Sequence, residues 1–173
     1  MDWKQVCIGV FERESQFLNK ALDGINIQDL NWQPHQDCNS IGWLVWHLTR
    51  IKDVAVNEQI AGMEQLWIKN KWNEKFKRPA ALEDRGFGHT SKDVALFKSP
   101  DVHILLGYHQ AILEETVGSL SKLSTGDLDR KLSNPAFPTV GARLVALIND
   151  SLQHTGQVAY LRGLIKGKGW LDV

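Results

Sequence analysis

The stretch Leu147-Ile-Asn-Asp-Ser-Leu-Gln-His-Thr-Gly-Gln157 decides the fold. Around it Val140, Leu144, Leu147, Ser151, His154, Val158, Leu161 and Ile165 recur at alternating three- and four-residue steps, the repeat of a helix that turns one seam toward other helices. His154 is thereby expected inside a core. Asp150 lies one turn earlier on nearly the same face, where two side chains can converge on one point. An imidazole and a carboxylate are costly to hide in an apolar interior unless something satisfies them. A hydrogen bond between the two or to a loop would do so, and so would a metal ion sharing a third ligand from elsewhere.

Outward from that helix, Thr139 supplies its cap and Gly167-Lys-Gly169 its exit. Three more long helical patterns precede it. Trp3, Cys7, Val10, Phe17 and Ala21, with Val6, Phe11, Leu18 and Leu22, form the first, ending near Asp23-Gly24. Asp29 to Gln33 is expected to add one turn before Pro34-His-Gln-Asp37 breaks regularity. Asn39-Ser40 caps the second, which runs through Ile41, Leu44, Val45, Leu48, Ile51, Val54 and Ala55 to about Ala61-Gly62. His47 flanks that stripe and is expected to point inward, between Trp43 and Trp46, whose large rings read as core and loop packing. The third starts at Ser99-Pro-Asp101, with Ser99 as cap and Pro100 as first helical residue, and continues through Val102, Leu105, Leu106, His109, Ile112, Leu113, Val117 and Leu120. His109 sits at its apolar edge, where packing outweighs a ligand role.

Between the second and third patterns periodicity fails from Gly62 to Thr90. Connections of that length are lids or disordered, and Trp67, Trp72, Phe76 and Phe87 argue for order. The segment reads as an ordered crossover roofing the bundle, followed by a short helix over 91–97. Ser124 to Asp129 reads as another short turn of helix. The fold expected is all-α, a four-helix bundle with a long crossover between helices 2 and 3, in a single domain over 1–173.

Composition narrows the function. At 173 residues, 43% apolar and 23% charged, the chain has globular proportions. Lys plus Arg and Asp plus Glu balance at 20 each, so nothing marks a surface for nucleic acid or an anionic membrane. Cys7 and Cys38 form no CxxC, which suits a reducing compartment. No apolar run approaches the roughly 18 residues that span a bilayer, and Met1-Asp-Trp-Lys-Gln5 does not open a signal peptide. A cytoplasmic protein is expected.

Three blocks carry a family likeness: Asn39-Ser-Ile-Gly-Trp-Leu-Val-Trp-His-Leu48; Leu106-Gly-Tyr108; and Asp150-Ser-Leu-Gln-His-Thr-Gly-Gln157 with Tyr160-Leu-Arg-Gly163 and Gly169-Trp170. The chain resembles the DinB-like superfamily, metal-binding four-helix bundles that include bacillithiol S-transferases and mycothiol-dependent maleylpyruvate isomerase. The resemblance implies three metal ligands, one in helix 2 and two at i and i+4 in helix 4, which carry over as His47, Asp150 and His154. Histidine is frequent where this chain has Asp150. Two imidazoles and a carboxylate suit an open catalytic zinc site, and nickel, iron or manganese are alternatives for the same donors.

The function so implied is a metal-dependent S-transferase acting on a small-molecule thiol and an electrophile, without nucleic acid or membrane as partner. Gln157, one turn beyond His154, is placed to hydrogen-bond a ligand side chain or substrate, against the plainer reading of a surface amide. Tyr108 and Arg162 are further candidates for substrate contact. Metal-dependent hydrolysis is the alternative. It needs a general base near the ion, and Glu58, about three turns past His47, lies too far along the helix. A non-catalytic, stress-associated metal-binding module is the remaining reading. The resemblance also implies a homodimer.

Overall fold

Four long helices build the bundle: α1 (Trp3–Leu22), α2 (Ile41–Asp53), α3 (Val102–Lys122) and α4 (Val140–Lys166). They are seen in a computed structural model that describes residues 1–167 and 169–171. Each begins at a side-chain cap that takes an otherwise free amide hydrogen: Asp2, Ser40, Asp101 and Thr139. α1 and α2 each pack along both α3 and α4, so α1 and α2 face each other across the diagonal. Across it Lys52 Nζ donates to Glu14 Oε2 at 2.8 Å, with both side chains fully buried. Among the described residues no strand forms beyond an isolated bridge between Lys131 and Thr139.

The bundle and its crossover are as expected, but several boundaries differ. α2 keeps α geometry only to Asp53 and then widens into a π-helical turn over Val54–Ile60, where the Ala61 amide reaches back to the Val56 carbonyl. The early turn is Ile27–Leu30, capped by Asn26. The cap of α3 is Asp101, not Ser99, because the Asp101 carboxylate accepts from the Ile104 amide at 2.7 Å. Pro100 therefore precedes the helix. The Gly167 end of α4 has the left-handed φ of 75° that an exit glycine supplies, while Lys168 of the expected exit lies outside the described residues.

The crossover contains two single-turn helices, Leu66–Lys69 and Trp72–Lys75, which the aperiodic sequence did not reveal. Trp67, Trp72 and Phe76 are buried around the ring of Tyr108, whereas Phe87 stands in solvent. Two charged residues on the last turn of α2 hold this roof down. The Asp53 carboxylate accepts from Asn57 Nδ2, the Leu66 and Trp67 amides, the Tyr108 hydroxyl and Arg50 Nη1, at 2.6–3.3 Å. It thereby caps the Leu66–Lys69 helix from outside. Arg50, fully buried, gives its remaining hydrogens to Tyr108 Oη, Gln65 Oε1 and the carbonyls of Leu82 and Asp84.

Removing one partner of such a buried pair leaves an uncompensated charge, which costs about 3–5 kcal/mol. Asp53→Ala is accordingly expected to lower unfolding free energy by about that amount in urea titration. Limited proteolysis should then cut within 62–90 first. A loss under about 1 kcal/mol, the scale of one ordinary hydrogen bond, would show that the roof is held elsewhere.

Candidate metal centre

His47 projects from the second turn of α2 and its ring is held on two sides. Trp43, one turn earlier, stacks on it with centroids 4.7 Å apart and planes 10° from parallel. The indole is itself fixed, since Trp43 Nε1 donates to His89 Nδ1 at 3.1 Å and His89 Nε2 then bonds to Asp84. The crossover brings the Arg85 carbonyl against His47 Nδ1 in a short hydrogen bond. A carbonyl only accepts, so Nδ1 carries the proton and Nε2 presents a lone pair inward. Gly86 permits this approach: its φ is 85°, and a Cβ there would lie 2.8 Å from His47 Nδ1 and 2.7 Å from the Trp43 ring.

The same logic applies on α4. His154 Nδ1 donates to Gln157 Oε1 at 2.7 Å, one turn on, which leaves Nε2 facing inward. The rings of His47 and His154 meet edge to face, centroids 4.8 Å apart. Asp150 Oδ1 lies 3.5 Å from His154 Nε2 and 4.0 Å from His47 Nε2. The three donor atoms thus fall within 4.8 Å of one another.

The sequence placed His154 in the core, and the structure moves it to the edge. His154 and Asp150 are half-buried, while Ser151, Thr155 and Val158 hold the interior beside them. The triad opens on a cavity of about 280 Å³ lined by His47, Asp150, Arg85, Phe87, Phe137 and Arg143. On the far flank, Gln157 borders a second cleft of about 540 Å³ with Cys38, Leu44 and Tyr160.

A profile described as the DinB superfamily matches residues 11–158. The chain belongs to the DinB superfamily. Among solved structures it is similar to one described as the crystal structure of the conserved protein of locus from Enterococcus faecalis. The two are 27% identical with a TM-score of 0.86, covering 97% of this chain and 99% of that one. No curated protein matches it.

For this DinB-superfamily chain the residues fit an ion. Among the described residues Asp150 Oδ2 is buried without a hydrogen-bond partner, and neither Nε2 atom meets a protein donor or acceptor other than Asp150. Bonds of about 2.0–2.2 Å to two imidazoles and one carboxylate would need only modest convergence of the side chains. Two of the other candidates are not brought to this point. Tyr108 is fully buried with its hydroxyl on Asp53, and Arg162 borders a separate pocket with Asp23, Lys166 and Trp170. His109 is also sealed in the core, against Thr49. The Arg85 carbonyl carries no sequence signal, and Gly86 only that of a Gly86-Phe-Gly88 turn. Arg143 carries one, a charge two turns before Asp150 beside the apolar seam.

Burial pulls the His47 imidazole below its usual value, against weaker upward pulls from the Arg85 carbonyl and Asp150. Burial also acts downward on His154, but its hydrogen bonds to Asp150 and Gln157 and the charge of Asp150 outweigh it, so the net direction is up. In the metal-free fold, stability from His154 is full below the unfolded imidazole value of about 6.5 and is lost as pH rises through its raised value. The contribution of His47 runs the other way, present above about 6.5 and lost as pH falls through its lowered value.

A metal needs both rings unprotonated. Affinity is therefore expected to fall about tenfold per pH unit below the raised value of His154, and to steepen only in more acid solution, where His47 also protonates. Competition with a chromophoric chelator from pH 8 to 5 measures this, and a two-proton slope beginning near neutrality would contradict it. Gln157→Leu removes the acceptor that orients His154 and is expected to weaken metal binding about 10–100-fold. No change would return Gln157 to a surface amide.

Proposed function

We propose that the protein is a metal-dependent thiol S-transferase whose ion, zinc in the first instance, is held by His47, Asp150 and His154. One observation carries the reading: both imidazole Nδ1–H groups donate to carbonyl oxygens, so both Nε2 lone pairs face Asp150 beside an open cavity. A purely structural site would be closed by a fourth protein ligand, and none stands within reach among the described residues. Likeness to a superfamily that includes thiol S-transferases supports the same chemistry. The chemistry such an ion would supply there is Lewis acidity, which would favour the thiolate form of a substrate thiol at neutral pH.

In the transfer, an S–C bond forms to the electrophile as its bond to the leaving group breaks. The leaving group departs with that electron pair and the thiol proton passes to solvent. The protein holds the reacting pair: Trp43 and the Arg85 carbonyl fix His47, Gln157 fixes His154, and Phe137 narrows the cavity. Hydrolysis is less well served. Among the described residues Asp150 is the sole carboxylate lining the cavity, with Glu58 hydrogen-bonded to Gln65 away from it, and none of them offers a separate general base.

Protein purified without an affinity tag should carry about one equivalent of transition metal, and His154→Ala less than about a tenth. With monochlorobimane as acceptor, a panel of small thiols should show turnover that a chelator abolishes and zinc restores, with no matching activity on esters and amides. Turnover indifferent to chelation, or confined to ester and amide substrates, would overturn the assignment.

A further inference from the structure

The cavity beside the triad contains an unbalanced charge. Arg143 is almost fully buried, yet its hydrogen-bond partners among the described residues are neutral: Nε donates to Gln59 Oε1 at 2.7 Å, and Nη2 to the Ile51 carbonyl at 3.5 Å. Both Nη1 hydrogens and one on Nη2 have no protein acceptor among the described residues. Among the described residues no carboxylate lies within ion-pair distance of it, and the Arg85 side chain at the rim is likewise unpaired. Burial lowers the Arg143 guanidinium to about 10, with Asp150 acting upward and Arg85 downward, so it remains charged at neutral pH. A buried cation without its counter-charge is costly.

The surroundings indicate what could supply that charge. The centroid of the Phe137 ring lies 4.5 Å from the guanidinium carbon, and Ile51, Val54, Phe87, Ala136 and Ala146 add apolar surface beside the polar side chains of Gln59 and Asn134. A guanidinium fork matches a planar carboxylate through paired hydrogen bonds, and the flat walls suit a compact apolar body. We propose that Arg143, assisted by Arg85, binds the carboxylate of an acidic substrate and holds the rest of that molecule against the triad. The role of that substrate in transfer rests on the thiol reading above, whereas the carboxylate subsite does not.

Benzoate and benzamide, alike in shape and different in charge, test the subsite by calorimetric titration of the full-length, zinc-loaded protein. Benzoate is expected to bind about tenfold or more tightly than benzamide, and added salt should weaken benzoate alone. Arg143→Gln should erase the preference and Arg143→Lys retain part of it, while Arg85→Gln should reduce it about threefold. Because coordination of benzoate to zinc would not depend on Arg143, a preference that survives Arg143→Gln overturns the proposal. So does equal or absent binding of the two probes by the unaltered protein. If circular dichroism shows Arg143→Gln unfolded, Arg85→Gln and the salt dependence decide instead.

Turnover then locates the carboxylate. With 2-mercaptoethanol, 4-chloro-3-nitrobenzoate is compared with its amide; with monochlorobimane, 3-mercaptopropionate is compared with its amide. A preference in kcat/KM for the acid in the first pair puts the carboxylate on the acceptor, and in the second on the thiol. Benzoate selectivity without any thiol turnover would remove the transferase reading and leave the subsite, and thiol turnover without benzoate selectivity would do the reverse.

Discussion

Asp53 cannot be buried as a bare anion, and the way its carboxylate is satisfied shapes much of this molecule. Its donors come from α2, from α3 and from the backbone of the crossover. A charged group in a low-dielectric interior imposes geometry because each lost donor leaves a large penalty. Arg50 extends the same constraint to the carbonyls of Leu82 and Asp84. The chain leaving Asp84 then has only a short distance in which to bring the Arg85 carbonyl to His47 and to turn at Gly86. The electrostatics of the roof thus decide which nitrogen of His47 is protonated, and the tautomer decides whether the ring can serve as a ligand.

This dependence explains which parts of the fold were legible in the sequence. The helices were, because Leu144, Leu147, Ser151, Val158 and Leu161 repeat with the helical period and do lie buried on one face of α4. The pairing of Asp150 with His154 was legible for the same reason, being an i to i+4 relation on one element. His47 was placed inward by its stripe but joined to the other two through resemblance alone, since periodicity within one helix says nothing about distance to another. The Ser99 boundary failed by two residues because Asp101 competed as a cap, a choice between neighbours that propensity does not rank.

The crossover was hardest to read. Its order comes from contacts to residues far along the chain: Trp67 and Trp72 to Tyr108, Leu66 to Asp53, and Asn31 to Ser99. No local pattern encodes those partners. The π turn over Val54–Ile60 is similar, since a widened turn has the same apolar spacing over seven residues as a regular one would show. Within it Gln59 faces α4 and meets Arg143, so an irregularity invisible in the sequence contributes directly to the wall of the cavity.

Asp150 is where the chain departs from the pattern that the resemblance implies, and the cavity offers a physical reason for it. Among the described residues two guanidinium groups line the space next to the triad and one carboxylate lines it with them, a balance of one positive charge before any ion is present. A histidine at position 150 would remove that carboxylate and set a divalent cation against Arg143 and Arg85 with no anion between them. Repulsion of that kind inside a partly desolvated cavity is strong enough to cost the ion, the buried arginine, or both. Asp150 acts on both neighbours at once: it raises the affinity of His154 for a proton, and it supports the charged form of Arg143. A carboxylate at this position lets a cation and a buried guanidinium share one small cavity, which is the arrangement that an anionic substrate approaching the ion would require.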